Sequence, residues 1–164
     1  MASAAWQVEP AVLDDPAVVR LLWDYTAEMA SRYHGRPASD AEVAAALAED
    51  PHDGLAPPTG VFLLARYRTE PAGCVGLRLL SPDVAEIKRM YVRPELRGRG
   101  GGGRLLAACE QHGRSLGAAA LRLDTRGDLV EARNLYAKHG FAEIPAYNDG
   151  RYAEHWFEKR LTTG

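Results

Sequence analysis

Apolar positions along the chain fall first on a helical period and then on a strand period. Val18, Leu21, Leu22, Tyr25 and Met29 stand at i, i+3, i+4, i+7 and i+11, one face of a helix. The acidic turn Asp14-Asp15-Pro16 opens that helix, and His34-Gly35-Arg36-Pro37 closes it. A short strand is expected ahead of it, around Trp6 to Val8. Ser39 or Asp40 caps a second, alanine-rich helix that stops before Pro51, and 51–60 reads as loop. The period then shortens. VFLLARY (61–67) and GCVGLRLL (73–80) read as strands around a turn at 68–71, and AEIKRMYV (85–92) follows, stopped by Pro94. Behind a glycine run, Leu105, Leu106, Cys109 and Leu116 mark one side of a helix. AALRLDT (119–125) is a strand, and a helix from Leu129 to His139 is closed by Gly140. FAEI (141–144) and RYAEHWFEKRL (151–161) form a final strand pair around a turn at 147–150. Strands alternating with helices predict an α/β (α+β) fold with a mixed sheet, as one domain over residues 1–164 without a linker.

One strand carries a further signal. Strict alternation puts Glu86, Lys88 and Met90 on one face of 85–92, and Ile87, Arg89 and Tyr91 on the other. An inner strand with charges on both faces is costly unless partners or a cleft receive them.

Composition narrows the classes. A net charge of −2 provides no positive field for nucleic acid or an anionic membrane, so neither is an expected partner. Cys74 and Cys109 sit far apart among apolar neighbours and read as core residues of a reducing compartment. The five histidines show none of the short spacings of zinc sites, and no metal is expected. The first residues lack a basic segment followed by an apolar run, and no stretch approaches a membrane span; a cytoplasmic location is expected.

The stretch RPELRGRGGGGRLL (93–106) lies between a strand and an amphipathic helix, so it is not a disordered Arg-Gly tail. A glycine-rich turn at a helix N-terminus is an anion site: backbone N–H groups converge, the helix dipole favours negative charge, and no Cβ blocks a close approach. Arg97, Arg99 and Arg104 add charge-assisted bonds and would repel one another without an anion. Gly102-Gly103 is followed by Arg104-Leu105 rather than Lys-Ser/Thr, which argues against a Walker loop. The glycines follow about the fourth strand rather than the first, which argues against a dinucleotide fold. A pyrophosphate site is expected.

Arg97-Gly98-Arg99-Gly100-Gly101-Gly102 matches the Arg/Gln-x-x-Gly-x-Gly/Ala pattern of the GNAT superfamily of acetyl-CoA-dependent N-acetyltransferases. The preceding strand, and ARNLYAKHGF (132–141) with Asn134, Tyr136, Gly140 and Phe141, resemble the same superfamily. The resemblance is clearest over 61–161. It implies a mixed, strongly twisted sheet whose fourth and fifth strands splay apart, with acetyl-CoA as co-substrate in the opening. It implies that the backbone of Met90, Tyr91 and Val92 bonds the pantetheine, and that Arg97, Gly98, Arg99, Gly100, Gly101, Gly102, Gly103 and Arg104 hold the pyrophosphate. Two positions depart from the pattern: Gly101 replaces a bulky apolar residue and Gly103 an often basic one. Each added helix glycine costs roughly 0.5–1 kcal/mol against alanine, which predicts a looser helix start without cofactor.

Acetyl transfer to nitrogen needs a neutral amine, donors for a developing oxyanion and a proton for the leaving thiolate. Glu86 stands where histone-type relatives carry a catalytic glutamate and is the candidate base; otherwise it ion-pairs with Lys88 or Arg78. Tyr136 is the candidate acid, carried over from the family; otherwise it is an amphipathic residue on the helix's apolar face. Asn134 would bond the pantetheine or hold a water. By family analogy the acceptor pocket draws on Glu28, Tyr33, Tyr147 and Asp149, with Tyr25, His34, Asn148 and Tyr152 nearby, a set suited to a cationic amine. A small-molecule amine is favoured over a protein lysine or N-terminus, and a non-catalytic acyl-CoA sensor is the rival from another class. Family members often dimerise, so a homodimer is one partner the resemblance brings in.

Overall fold

A computed structural model of the chain describes residues 5–49, 51–52, 54–127, 130–150 and 153–161. Strand β1 (Trp6–Pro10) leads into helix α1 (Pro16–His34) and helix α2 (Asp40–Glu49). Strands β2 (Gly60–Tyr67), β3 (Glu70–Ser81) and β4 (Val84–Val92) follow as an antiparallel run. After a 3-10 turn at Pro94–Leu96 come α3 (Gly101–Ser115), β5 (Ala120–Thr125), α4 (Val130–Lys138), β6 (Ala142–Ile144) and β7 (His155–Arg160). The seven strands form one sheet in the order β1-β2-β3-β4-β5-β7-β6. The expected start of the fourth helix at Leu129, and Tyr152 within the expected last strand, lie outside the described residues.

The helix ends follow their sequence signals. The Asp15 carboxylate accepts from the Ala17 N–H, Pro16 takes the first helical position, and Gly35 closes α1 in the left-handed region at φ 70°. For α2 the cap is Ser39 rather than Asp40. Its hydroxyl accepts from the Glu42 N–H at 3.2 Å while the Glu42 carboxylate accepts from the Ser39 N–H at 2.9 Å.

The β2–β3 turn is tighter than the sequence suggested. Arg68 and Thr69 both take positive φ, 50° and 74°, so a two-residue turn suffices and β3 already begins at Glu70. Turns of that hand match the twist of the flanking strands, but their usual glycine and asparagine are absent here.

Both sheet faces of β2 and β3 are covered. Leu63, Val75 and Leu77 pack beneath α3 with Leu105, Leu106 and Cys109. On the opposite face Phe62, Leu64, Cys74 and Tyr91 meet Val18, Leu21 and Leu22 of α1. Each such side chain contributes roughly 1.5–3 kcal/mol on burial. Burial pushes the Cys74 thiol up to about 12 and raises that of Cys109 as well, so both are inert core residues.

Two irregularities of β4 shape everything that follows. Cys74 pairs with Tyr91 and Gly76 with Lys88, so two steps of β3 answer three of β4, and Arg89 takes the extra place at φ 59°. The bulge overturns the simple alternation. Met90 and Val92 pack on the α3 side with Ile87, whereas Tyr91 joins the α1 side. Ahead of it, β4 and β5 run parallel for only three pairs, Val84–Ala120 to Glu86–Arg122, and then part. That parting is the splay implied by the family resemblance.

Candidate active site

The glycine run becomes the first turn of α3, and each glycine makes room for a neighbour. A Cβ on Gly101 would come within 2.4 Å of the Trp6 ring, one on Gly102 within 2.7 Å of Leu135, and one on Gly103 within 3.0 Å of His139. Trp6 therefore fills the space that a bulky residue at 101 would take. Its indole N–H also donates to the Arg99 carbonyl at 2.9 Å, tying the loop to the edge strand. Gly98 and Gly100 sit at φ 79° and 90°, left-handed positions that glycine adopts without strain. The first-turn N–H groups of α3 have no acceptor within the helix. A backbone cradle of this kind fits a pyrophosphate.

The arginines are less bare than their clustering suggested. Arg97 donates to the Val92 carbonyl at 2.8 Å and to Glu28 at 2.9 Å, with its guanidinium 5.6 Å from the Tyr91 ring centre. Arg99 lies over the Tyr67 ring, and Arg104 donates to the Trp6 carbonyl at 3.3 Å. Their mutual repulsion is thus relieved within the protein, and the backbone rather than the arginine cluster is the stronger sign of an anion site.

One cavity of about 1920 Å³ joins these elements. Its wall takes in Gly98, Gly100 to Gly103 and Arg104 from the loop and α3. It continues along Met90, Tyr91 and Val92 of β4, then Leu135 and Tyr136 of α4, and reaches Glu28 and Tyr33 of α1. Tyr136 is buried against Phe141 and Phe157, and its hydroxyl donates to the Met90 sulfur at 3.9 Å. Burial raises its phenol above the ordinary value, so at neutral pH it remains a proton donor. Tyr25, half-buried, meets Tyr91 edge-on at 6.1 Å and lines the cavity.

Other expected residues stand elsewhere. Asn134 is exposed and off the cavity wall, as is Asp149. Glu86 is 1% exposed and also absent from the wall. Its Oε1 accepts from Arg78 Nε at 3.1 Å and Nη2 at 3.0 Å, and its Oε2 accepts from the Tyr147 hydroxyl at 2.8 Å. The ion pair with Arg78 forms; none forms with Lys88. Burial, followed by the Glu86 charge, raises the Tyr147 phenol well above its usual value.

Asp124 is the residue that sequence reasoning missed. It lies on β5 just past the last β4–β5 pair and lines the cavity, and its Oδ2 accepts from Asn148 at 2.8 Å. Asn148 Oδ1 in turn accepts from the Trp156 indole at 2.9 Å. The signal was present in ALRLDT, where Arg122 and Asp124 alternate with Leu121 and Leu123 on an inner strand. Among the described residues no group of His, Cys, Asp and Glu could hold a metal, and no helix is long and apolar enough to cross a membrane.

The glycine loop, the β4–β5 opening and Tyr136 border one cavity, and residues 18–141 match the acetyltransferase (GNAT) family. The chain belongs to that family. An uncharacterized N-acetyltransferase of Schizosaccharomyces pombe is 39% identical over 93 residues, 56% of this chain and 57% of the relative. The chain thus matches somewhat over half of that relative's length. A GNAT-family acetyltransferase of Staphylococcus aureus superposes with a TM-score of 0.74 at 16% identity, covering 96% of this chain and 100% of the other. A GNAT-family acetyltransferase of Elizabethkingia anophelis with acetyl-CoA bound gives 0.65 at 20% identity over 96% and 99%.

Proposed function

We propose that the protein transfers an acetyl group from acetyl-CoA to the primary amine of a small molecule, by direct attack within a ternary complex. One observation carries this reading: a single cavity runs from the glycine-lined start of α3, through the β4–β5 opening and past Tyr136, to the α1 side. The N–H groups of 98–103 with Arg104 would hold the pyrophosphate, and the β4 backbone at Met90, Tyr91 and Val92 the pantetheine arm. Acetyl-CoA, when bound, supplies the acyl group as an activated thioester. Tyr136, kept neutral by burial, donates its proton toward the departing sulfur.

Glu86 serves differently from a direct base. With both oxygens engaged and no place on the wall, it anchors Arg78 of β3 and the β6–β7 loop through Tyr147. The amine's proton then leaves through the cavity rather than directly to Glu86. A small acceptor is supported by the far end of the cavity, which α1, α2 and Asn148 of the β6–β7 loop line together.

The test is release of CoA thiol from acetyl-CoA across polyamines, amino acids, aminoglycosides and lysine peptides, with amine-free controls. Release dependent on a small amine is expected. Release with lysine peptides alone would reassign the acceptor to protein. Tight acetyl-CoA binding without release by any amine would favour a sensor, and no acetyl-CoA binding would defeat the reading altogether.

A further inference from the structure

Two opposite charges face each other across the splay without pairing. The β4–β5 ladder ends at Glu86–Arg122, and two residues further along each strand stand Lys88 and Asp124. Alternation places both on the α1 side, opposite Ile87 and Leu123 of the α3-side core. Both line the cavity. Among the described residues the Lys88 ammonium has neither hydrogen bond nor ion pair, and Asp124 is held through Oδ2 alone. They therefore stay more than the 4.0 Å of an ion pair apart. The neighbouring acids are already committed: Glu86 to Arg78 and Tyr147, and Glu28 to Arg97. Next to Lys88, the Arg89 side chain donates to His52 Nδ1 at 3.2 Å and lines the same wall. Arg89 keeps this place at φ 59°, where glycine would be relaxed.

Resting on the acetyltransferase reading above, we infer that the acceptor is an amino acid, whose ammonium group meets Asp124 and whose carboxylate meets Lys88. A zwitterion fills a gap between unpaired opposite charges, whereas a plain amine leaves Lys88 unanswered beside a second cation. Asp124 stands at the opening, where the amine must meet the thioester. In the transfer the ammonium gives one proton to water by way of Asp124, and the freed lone pair forms the C–N bond as the C–S bond breaks. Tyr136 gives its proton to the departing sulfur and recovers one from the second N–H, so the products are an N-acetylamino acid and CoA thiol.

The experiment compares each L-amino acid with the amine left by removing its carboxyl group, by CoA release at saturating acetyl-CoA. Calorimetry of the best amino acid with the CoA-bound protein runs in parallel. Expected is a preference of at least tenfold in kcat/KM for the carboxylated member of the best pair. Lys88→Met collapses that ratio toward one and weakens calorimetric binding at least tenfold, Lys88→Arg restores both, and Asp124→Asn lowers kcat. A decarboxylated amine equal to or better than its partner overturns the inference, as does a Lys88→Met variant that keeps the ratio, or release with no amino acid at all. In each of those cases acetyl-CoA binding with turnover of another amine leaves the broader reading standing; failure of acetyl-CoA to bind removes that reading itself.

Discussion

The cavity has two walls built by different means. At the start of α3 the wall comes from one stretch of sequence, 97–104 apart from Arg99, whose shape comes from backbone: left-handed glycines, first-turn N–H groups without helical acceptors and the absence of Cβ atoms. Across the splay, Lys88, Asp124 and Asn148 come from three separate segments, and side-chain charge and hydrogen bonding define them. The first wall is specified by space, so a single added carbon damages it. The second is specified by charge, so shape can drift while the choice of ligand is retained. Substitutions in the first should therefore register as stability and cofactor affinity, and substitutions in the second as selectivity.

The largest expected effect tests the first wall from a distance. Trp6→Ala empties the space above Gly101 and frees the Arg99 carbonyl, costing about 3–5 kcal/mol in urea denaturation and weakening acetyl-CoA binding. A loss below about 1 kcal/mol would show that the loop stands without its indole. Tyr136→Phe removes a donor between the walls; turnover should fall about 100-fold while the dissociation constant for acetyl-CoA holds. Unchanged turnover removes Tyr136 from the mechanism.

Tyr147→Phe leaves the buried Glu86 Oε2 without its donor, at a cost of about 1.5–3 kcal/mol to unfolding. The same phenol figures in an alkaline effect. Burial holds Tyr91 at about 12 and also raises Tyr136 and Tyr147, whereas unfolded tyrosines ionise near 10.0. Above about pH 10 the folded state binds more protons than the unfolded one, so stability present below that point is lost as pH rises. Thermal melts should show that decline, less steeply in Tyr147→Phe than in the parent. The smallest effect belongs to Asn134→Ala, which lies off the cavity and should leave acetyl-CoA affinity within about twofold, less than 0.5 kcal/mol.

Much of the fold was legible because its signals are local. Asp15 and Gly35 cap α1 where side-chain chemistry and left-handed backbone demand, and the 3.6-residue period found Val18, Leu21 and Leu22. The glycine loop was legible for the same reason, being contiguous. What escaped depends on partners distant in sequence. Trp6 meets Arg99 93 positions away, and nothing near Gly101 announces which ring takes its space. The burial of Glu86 depends on Tyr147, 61 positions on, so a lone glutamate on a strand could be read as a base. The Arg68–Thr69 turn lacks the residues that mark its type. The bulge was invisible to a count of two, since one extra residue reverses the face of every later position.

β4 behaves as two phrases of opposite parity joined at Arg89. Regularising the bulge with all its residues kept would exchange the neighbours of Met90 and Tyr91. The Tyr136 hydroxyl would lose its sulfur, and α1 would lose the ring that Tyr25 meets. The set of partners on each side of the sheet therefore rests on this one irregular junction.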